Sequence, residues 1–87
     1  MKIIVYSDSG HAWGKVKKAD IAKLELSIST YSYQRGAYAY LEEDCDLTKF
    51  VLAWQDANPT KGKIIYDEQH TFCGDSRIRS YECYRGY

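Results

Sequence analysis

Residues 31–41 read YSYQRGAYAYL. Aromatic residues alternate with small or polar ones on both sides of Gly36, which is the pattern of two strands joined by a tight turn. Glycine supplies the positive φ that such a turn needs. We therefore expect a β-hairpin with strands over 28–33 and 37–41 and with residues 35–36 as its turn.

A two-residue turn at this place brings four tyrosines to one face of the hairpin. Tyr33 would lie opposite Tyr38, and Tyr31 opposite Tyr40, because directly opposed residues in an antiparallel pair share a face. Cross-strand aromatic pairs contribute about 0.2–1 kcal/mol each. The tyrosine face is therefore either a part of the sheet that another element covers or an exposed platform for a base or a partner protein.

Shorter patterns precede the hairpin. The β-branched and aromatic run 2–6 ends at the turn-forming residues 7–10, and a weaker alternation over 11–16 predicts a second short strand. Good helix formers with an apolar side predict one or two helical turns over 19–26.

The strongest helical pattern follows the hairpin. Leu47, Phe50, Val51 and Trp54 fall at i, i+3, i+4 and i+7 and therefore line one face of a helix. The Asn-Pro pair at 58–59 ends this helix, because the residue before a proline avoids the helical region.

The helix starts in an acidic run, residues 42–46. Asp44 or Asp46 can accept the first free amide protons as an N-cap, and the neighbouring carboxylates meet the positive end of the helix dipole. Helix capping therefore explains much of the run without a functional role.

Two later segments complete the outline. Residues 63–66 predict a strand, and residues 77–81 alternate with period two, as an edge strand or an ordered tail would. The order β-β-α-β-β-α-β, with a further strand at the end, predicts a single α+β domain over residues 1–87. We expect a small mixed or antiparallel β-sheet with two helices packed on one face.

The charge balance limits the classes of partner. The chain has 87 residues, with 12 Lys or Arg and 12 Asp or Glu. A net charge of zero gives no general attraction to duplex DNA, because such binding depends on counterion release. No apolar run approaches a signal peptide or the roughly 18 residues of a membrane span. We expect a cytoplasmic protein that binds neither duplex DNA nor a membrane.

No residue pattern predicts catalysis. Ser7, Asp8 and His11 crowd one turn, and nearness in sequence is not the geometry of a catalytic triad. Carboxylates surround Cys45, which is the opposite of the electropositive setting of a reactive thiol. We expect that the protein is not an enzyme.

The cysteines do not predict a metal site. The chain has 3 cysteines at irregular spacing, which indicates reduced thiols rather than a disulfide framework. His70, Cys73 and Cys83 lack the paired CxxC spacing of a structural zinc site. We expect neither a metal nor a cofactor.

Arginines interleave with tyrosines at the hairpin turn and near the C-terminal end. Arginine offers a planar fork to phosphate or carboxylate, and tyrosine offers a stacking face. The same pair is enriched in protein–protein hot spots. Alternatively, the arginines fold back onto the acidic run 42–46 as surface salt bridges worth little. The candidate contact residues are Arg77, Arg79, Tyr81, Arg35, Tyr33 and Tyr38.

Four segments resemble a set of small bacteriophage and prophage proteins: GHAW at 10–13, YSYQRG at 31–36, YLEEDCDL at 40–47 and SRIRSYE at 76–82. The resemblance implies the cytoplasm of a host cell and a role in stoichiometric binding. The first expectation is an inhibitor of a host defence protein or complex, either anti-CRISPR-like or directed at another defence. The alternative is a nucleotide-binding sponge that sequesters a defence signalling nucleotide.

Overall fold

The protein alternates short strands with short helices. The computed structural model describes residues 1–8, 10–68 and 77–84. In chain order the elements are β1 (Lys2–Ser7), β2 (Ala12–Lys17), α1 (Lys18–Lys23), β3 (Tyr33–Arg35), β4 (Tyr38–Glu42), a π-helical turn (Glu43–Leu47) that continues into α2 (Thr48–Ala57), β5 (Ile65–Glu68), a 3-10 helix (Arg77–Ser80) and β6 (Glu82–Cys83).

Within the described ranges the six strands form one mixed sheet in the order β5-β1-β2-β4-β3-β6. Only the pairing of β1 with β5 is parallel, and every other neighbouring pair in this sheet is antiparallel. The α+β class is therefore confirmed. None of the helices in these ranges is long and apolar enough to cross a membrane.

Both α-helices contribute to one core on one face of the sheet. Ile21 of α1 and Phe50 of α2 are buried in the same cluster as Val5 and Leu41 of the sheet. Gly14 of β2 lets the helical segment approach closely, since a Cβ at this position would lie 2.6 Å from Leu47 Cδ1. The expectation of two helices on one face is confirmed.

The hairpin is confirmed, but its predicted register is wrong. The turn residues are 36–37, and Tyr33 pairs with Tyr40 while Arg35 pairs with Tyr38. Gly36 has φ +59° and is the first turn residue, which is where glycine stands in a type II′ turn.

Three of the four hairpin tyrosines share a face in this register, whereas four were expected. Tyr33, Tyr38 and Tyr40 point away from the α-helices, whereas Tyr31 precedes β3 and is 75% exposed.

The strand expected over 28–33 is wrong in its bounds, since β3 is Tyr33–Arg35. The Ser32 hydroxyl accepts the Glu42 N–H at 3.0 Å in place of a backbone carbonyl and donates to Asp46 Oδ2 at 2.6 Å.

The strand expected over 77–81 is wrong. Residues Arg77–Ser80 form a 3-10 helix, and the edge strand is β6 after it. Ile78 is 2% exposed and packs with Trp13 and Tyr40 on the sheet face opposite the α-helices. The weak alternation of the segment favours a strand. Burial of the Ile78 side chain favours the 3-10 helix, with its three-residue period, more strongly.

The expected cap is also wrong. The residue before the π-helical turn is Glu42, whose side chain makes no cap hydrogen bond. Asp46 is fully buried and accepts hydrogen bonds from Ser29 and Ser32 instead. The end of α2 at Asn58 is confirmed, and β5 starts two residues later than the strand expected over 63–66.

Candidate binding groove

The sheet face opposite the α-helices carries an aromatic cluster. Trp13 and Tyr40 are buried beneath Ile78 of the 3-10 helix, and three partly buried tyrosines pack around them. The Trp13 and Tyr33 rings are 6.1 Å apart between centroids in an edge-to-face arrangement, and Tyr40 and Tyr81 are 5.0 Å apart. Such ring pairs add about 0.5–1.5 kcal/mol beyond burial, so this face holds rigid side chains.

An ion pair ties the 3-10 helix to the turn between β1 and β2. Arg79 Nε donates to Asp8 Oδ2 at 2.6 Å, and Nη2 donates to Oδ1 at 3.1 Å. Asp8 Oδ1 also accepts the backbone N–H groups of Gly10 and His11, each at 2.9 Å. None of the Asp8 side chain is exposed, so the carboxylate is held on all sides. These hydrogen bonds fix the positions of the Arg79 guanidinium and of the His11 backbone.

A groove of about 440 Å³ opens beside this ion pair. One wall is the start of β2, another is the loop before β3, and the floor reaches the start of the π-helical turn. We call it the Trp13 groove. Its lining residues are His11, Trp13, Thr30, Tyr31, Tyr33, Glu42, Cys45 and Arg79.

The Trp13 groove combines stacking faces with polar groups of both signs. The Arg79 guanidinium lies 5.3 Å from the centroid of the Trp13 ring, and His11 Nδ1 lies 3.9 Å from Glu42 Oε1. The indole N–H of Trp13 is buried without an acceptor in the parts of the chain that the structure describes. An unsatisfied buried donor costs about 1–3 kcal/mol, and burial closes this N–H to a ligand in the groove.

The structure brings two of the predicted contact residues into the Trp13 groove, Arg79 and Tyr33. Tyr81 and Arg35 meet beside the groove, with the guanidinium 5.1 Å from the ring centroid. Tyr38 lies further along the same face, where Lys15 Nζ is 4.2 Å from its ring centroid.

Arg77 begins the 3-10 helix, and its side chain lies outside the described part of the chain. The alternation over 77–81 predicts that Arg77 and Arg79 lie on one side of a strand; this is wrong, because the segment is a 3-10 helix. The ion pair found for Arg79 is with Asp8 rather than with the acidic run 42–46, which corrects the expected fold-back for this arginine.

Sequence reasoning missed His11, Trp13 and Glu42 as lining residues. They lie in two of the four segments quoted together above, 10–13 and 40–47. Each segment supplies at least one residue to the groove: 10–13, 31–36, 40–47 and 76–82. Nothing local in the sequence indicates that these segments meet.

The structure describes only some of the cysteines and histidines that a metal site could use. Cys45 and Cys83 are free and exposed. Over residues 1–8, 10–68 and 77–84, no group of three or more metal-ligating side chains could hold an ion. His70 and Cys73 lie outside these ranges.

Burial perturbs two phenols of the protein. Burial raises the pKa of Tyr40 above 10.0, and the neighbouring Tyr81 and Tyr6 hydroxyls raise it further. Burial alone raises the pKa of Tyr84. Both hydroxyls therefore stay neutral near pH 7 and can act as hydrogen-bonding groups there.

Fold and groove together define a small α+β protein with a six-stranded mixed sheet in its described residues and an aromatic groove on the face away from its α-helices. No family model, curated protein or solved structure matches the chain.

Proposed function

We propose that this protein acts by stoichiometric binding: it inhibits a host defence protein or complex by holding part of that partner's surface in the Trp13 groove. The observation that carries the proposal is the composition of the groove. Two tyrosines, a tryptophan and an arginine line it, and tyrosine, tryptophan and arginine are the residues most enriched in the hot spots of protein interfaces.

The rigidity of the groove supports the same proposal. Trp13 is 2% exposed and sits on a sheet strand, and Arg79 is fixed by its two hydrogen bonds to Asp8. A surface that is already ordered loses little conformational entropy on binding. Tyr31 differs, because its ring is 75% exposed and projects from the wall of the groove, where a partner would bury it as an aromatic anchor.

The resemblance to phage proteins supports the setting. Small proteins of this kind act in the cytoplasm of an infected cell, and occupancy of a defence protein needs no catalytic step. Fold alone does not give function, so the proposal depends on the groove and on the resemblance together.

Sequestration of a signalling nucleotide is the second candidate function. The observation in its favour is that the exposed Tyr31 ring and the Arg79 guanidinium line one groove. A stacking ring beside a guanidinium suits a base and its phosphate. Two of the arginine N–H groups are engaged by Asp8, which leaves fewer donors for a phosphate and favours the protein partner.

The test is a pull-down from bacterial host lysate with the full chain, with Tyr31→Ala and with a matched control, Leu52→Ala. Leu52 is 62% exposed on α2, on the other side of the sheet. We expect one stoichiometric complex with the wild type and the control. Loss of an aromatic anchor weakens binding about 30-fold or more, so Tyr31→Ala should lose the complex.

Calorimetry with cyclic and linear nucleotides separates the two candidates. Tight nucleotide binding that Tyr31→Ala removes, without any protein complex, would establish the sponge and reject the inhibitor. A protein complex that Tyr31→Ala and Leu52→Ala retain equally would show that the Trp13 groove is not the binding site.

A further inference from the structure

A second surface lies on the same sheet face, away from the Trp13 groove. The register places Lys17 opposite Tyr38 and Tyr38 opposite Arg35, so these three side chains form a row across β2, β4 and β3. Lys15 lies two residues before Lys17 on β2 and therefore on the same face. We call these four residues the Tyr38 surface.

The Tyr38 surface combines positive charge with an accessible ring. Lys15 Nζ lies 4.2 Å from the centroid of the Tyr38 ring, which is a cation–π distance. Lys17 and Arg35 are exposed, and Tyr38 is 37% exposed. Adjacent strands are about 4.8 Å apart, so the row spans roughly 10 Å of open sheet.

The acidic groups near this surface do not cancel its charge. Asp20 lies at its edge, in the shallow depression that Lys15, Lys17 and Tyr38 also line. Beyond Arg35, Glu82 accepts a hydrogen bond from Gln34. Glu82 pairs with Gln34, whose side chain points to the other sheet face, so among the residues that the structure describes Asp20 is the one carboxylate bordering the depression around the ring.

We propose that the Tyr38 surface binds single-stranded nucleic acid. Proteins that bind single strands combine cations along the backbone with an aromatic ring on which an unpaired base stacks. Lys15, Lys17 and Arg35 would supply the phosphate contacts, and Tyr38 the stacking face. Lys17 and Arg35 flank Tyr38 on the two neighbouring strands, so a base stacked on the ring would have a cation on each side for its backbone phosphates, which is why the single strand is the favoured partner.

This proposal is independent of the function proposed for the Trp13 groove. The two surfaces share no residue. A duplex is not expected to bind, because its base faces are stacked internally and are closed to Tyr38, and because the chain has no net charge.

The test is fluorescence anisotropy of a labelled 12-mer oligo(dT), with the full chain, from 20 to 200 mM salt. We expect micromolar binding at low salt and at least tenfold weaker binding to a duplex of the same length. The slope of log K against log salt should be about −2, since three phosphate contacts to a single strand give roughly 0.7 each.

Three variants test the assignment to this surface. Lys17→Ala with Arg35→Ala should weaken binding at least tenfold and bring the salt slope to about −0.7, the value for the one remaining contact. The matched control, Lys61→Ala with Lys63→Ala, removes two exposed lysines elsewhere and should leave the affinity unchanged.

Tyr38→Phe should retain the affinity for oligo(dT), whereas Tyr38→Ala should lose about fivefold or more, because only the second removes the stacking face. Thermal melting confirms that each variant is folded. The proposal is overturned by absence of binding at 20 mM salt, by equal loss in the Lys17/Arg35 and Lys61/Lys63 double variants, or by duplex binding as tight as single-strand binding. It is also overturned if poly-glutamate competes fully and Tyr38→Ala has no effect, which would indicate an acidic protein partner.

Discussion

Arg79 and Asp8, which are 71 positions apart in the chain, form a bidentate ion pair in which the carboxylate is fully buried. Through this pair the C-terminal 3-10 helix is held against the turn between the first two strands. The same contact sets one side of the Trp13 groove. A single interaction therefore contributes to the stability of the fold and to the shape of the candidate site.

Removal of the arginine should leave the Asp8 carboxylate buried without its counter-charge. The side chain of Arg79 is 31% exposed, so water offsets part of the loss. We expect Arg79→Ala to lower the free energy of unfolding by about 2–3 kcal/mol, somewhat less than for a fully buried pair. Urea unfolding measures it. Arg79→Lys should recover only part, because an ammonium cannot make the bidentate contact.

Lys61→Ala is the control for this measurement, because Lys61 is exposed and its loss should cost within about 0.5 kcal/mol. Equal stability of the Arg79→Ala variant and this control would mean that the buried ion pair does not hold the 3-10 helix in place.

Asp46 should be the most important acidic residue for the stability of the loop before β3. Its carboxylate accepts hydrogen bonds from the Ser29 and Ser32 hydroxyls, each at 2.6 Å, and from the Ser29 backbone N–H. Asp46→Asn replaces one acceptor oxygen by a donor, and we expect it to cost about 1.5–3 kcal/mol. Asp44→Asn, at an exposed position of the same helical turn, should cost nearly nothing in the same urea titration.

Local sequence patterns predicted the elements that depend on local physics. The alternation around Gly36 predicted the hairpin, and the Asn-Pro pair at 58–59 predicted where α2 ends. The turn was misplaced by one residue because glycine can stand at either central position of a tight turn. Alternation on its own does not distinguish these two positions.

Tertiary contacts decided the rest. The sequence around Ile78 alternates as a strand would. The segment forms a 3-10 helix instead, and in it Ile78 is buried against Trp13. Asp46 fits the N-cap rule, but two serines that lie 14 and 17 positions before it capture the carboxylate. The Trp13 groove could not be predicted because the four segments that line it are brought together only by the sheet.

Gly14 should be intolerant of any side chain. A Cβ there would lie 2.6 and 2.8 Å from the two methyl carbons of Leu47 and 3.1 Å from Ile3. Overpacking of a filled core costs about 1–3 kcal/mol, so we expect Gly14→Ala to lower the unfolding free energy by this amount. Differential scanning calorimetry measures the matching drop in Tm.

Gly36→Ala separates crowding from backbone strain in the same experiment. A Cβ at Gly36 meets nothing within 4 Å, but the residue has φ +59°, which costs a non-glycine residue roughly 1–2 kcal/mol. A second substitution of Leu47 to alanine should relieve part of the Gly14→Ala cost and none of the Gly36→Ala cost. The crowding argument fails if Leu47→Ala changes both variants equally.

Stability should fall at alkaline pH because of the buried phenols. The pKa of Tyr40 is raised above 10.0 in the folded protein, chiefly by burial, so between pH 10 and the raised value the folded state binds more protons than the unfolded state. Stability then decreases as pH rises. The stability that depends on a neutral Tyr40 hydroxyl is complete below pH 10 and is lost as pH rises through the folded-state pKa.

Tyr40→Phe removes this titration. The free energy of unfolding of this variant should therefore fall less steeply than that of the wild type above pH 10. From pH 7 to 9 the difference between the two proteins should stay constant. Urea unfolding across this range, with absorbance at 295 nm to follow phenolate formation, measures both quantities. Parallel curves for the two proteins above pH 10 would show that folding leaves the titration of Tyr40 unchanged.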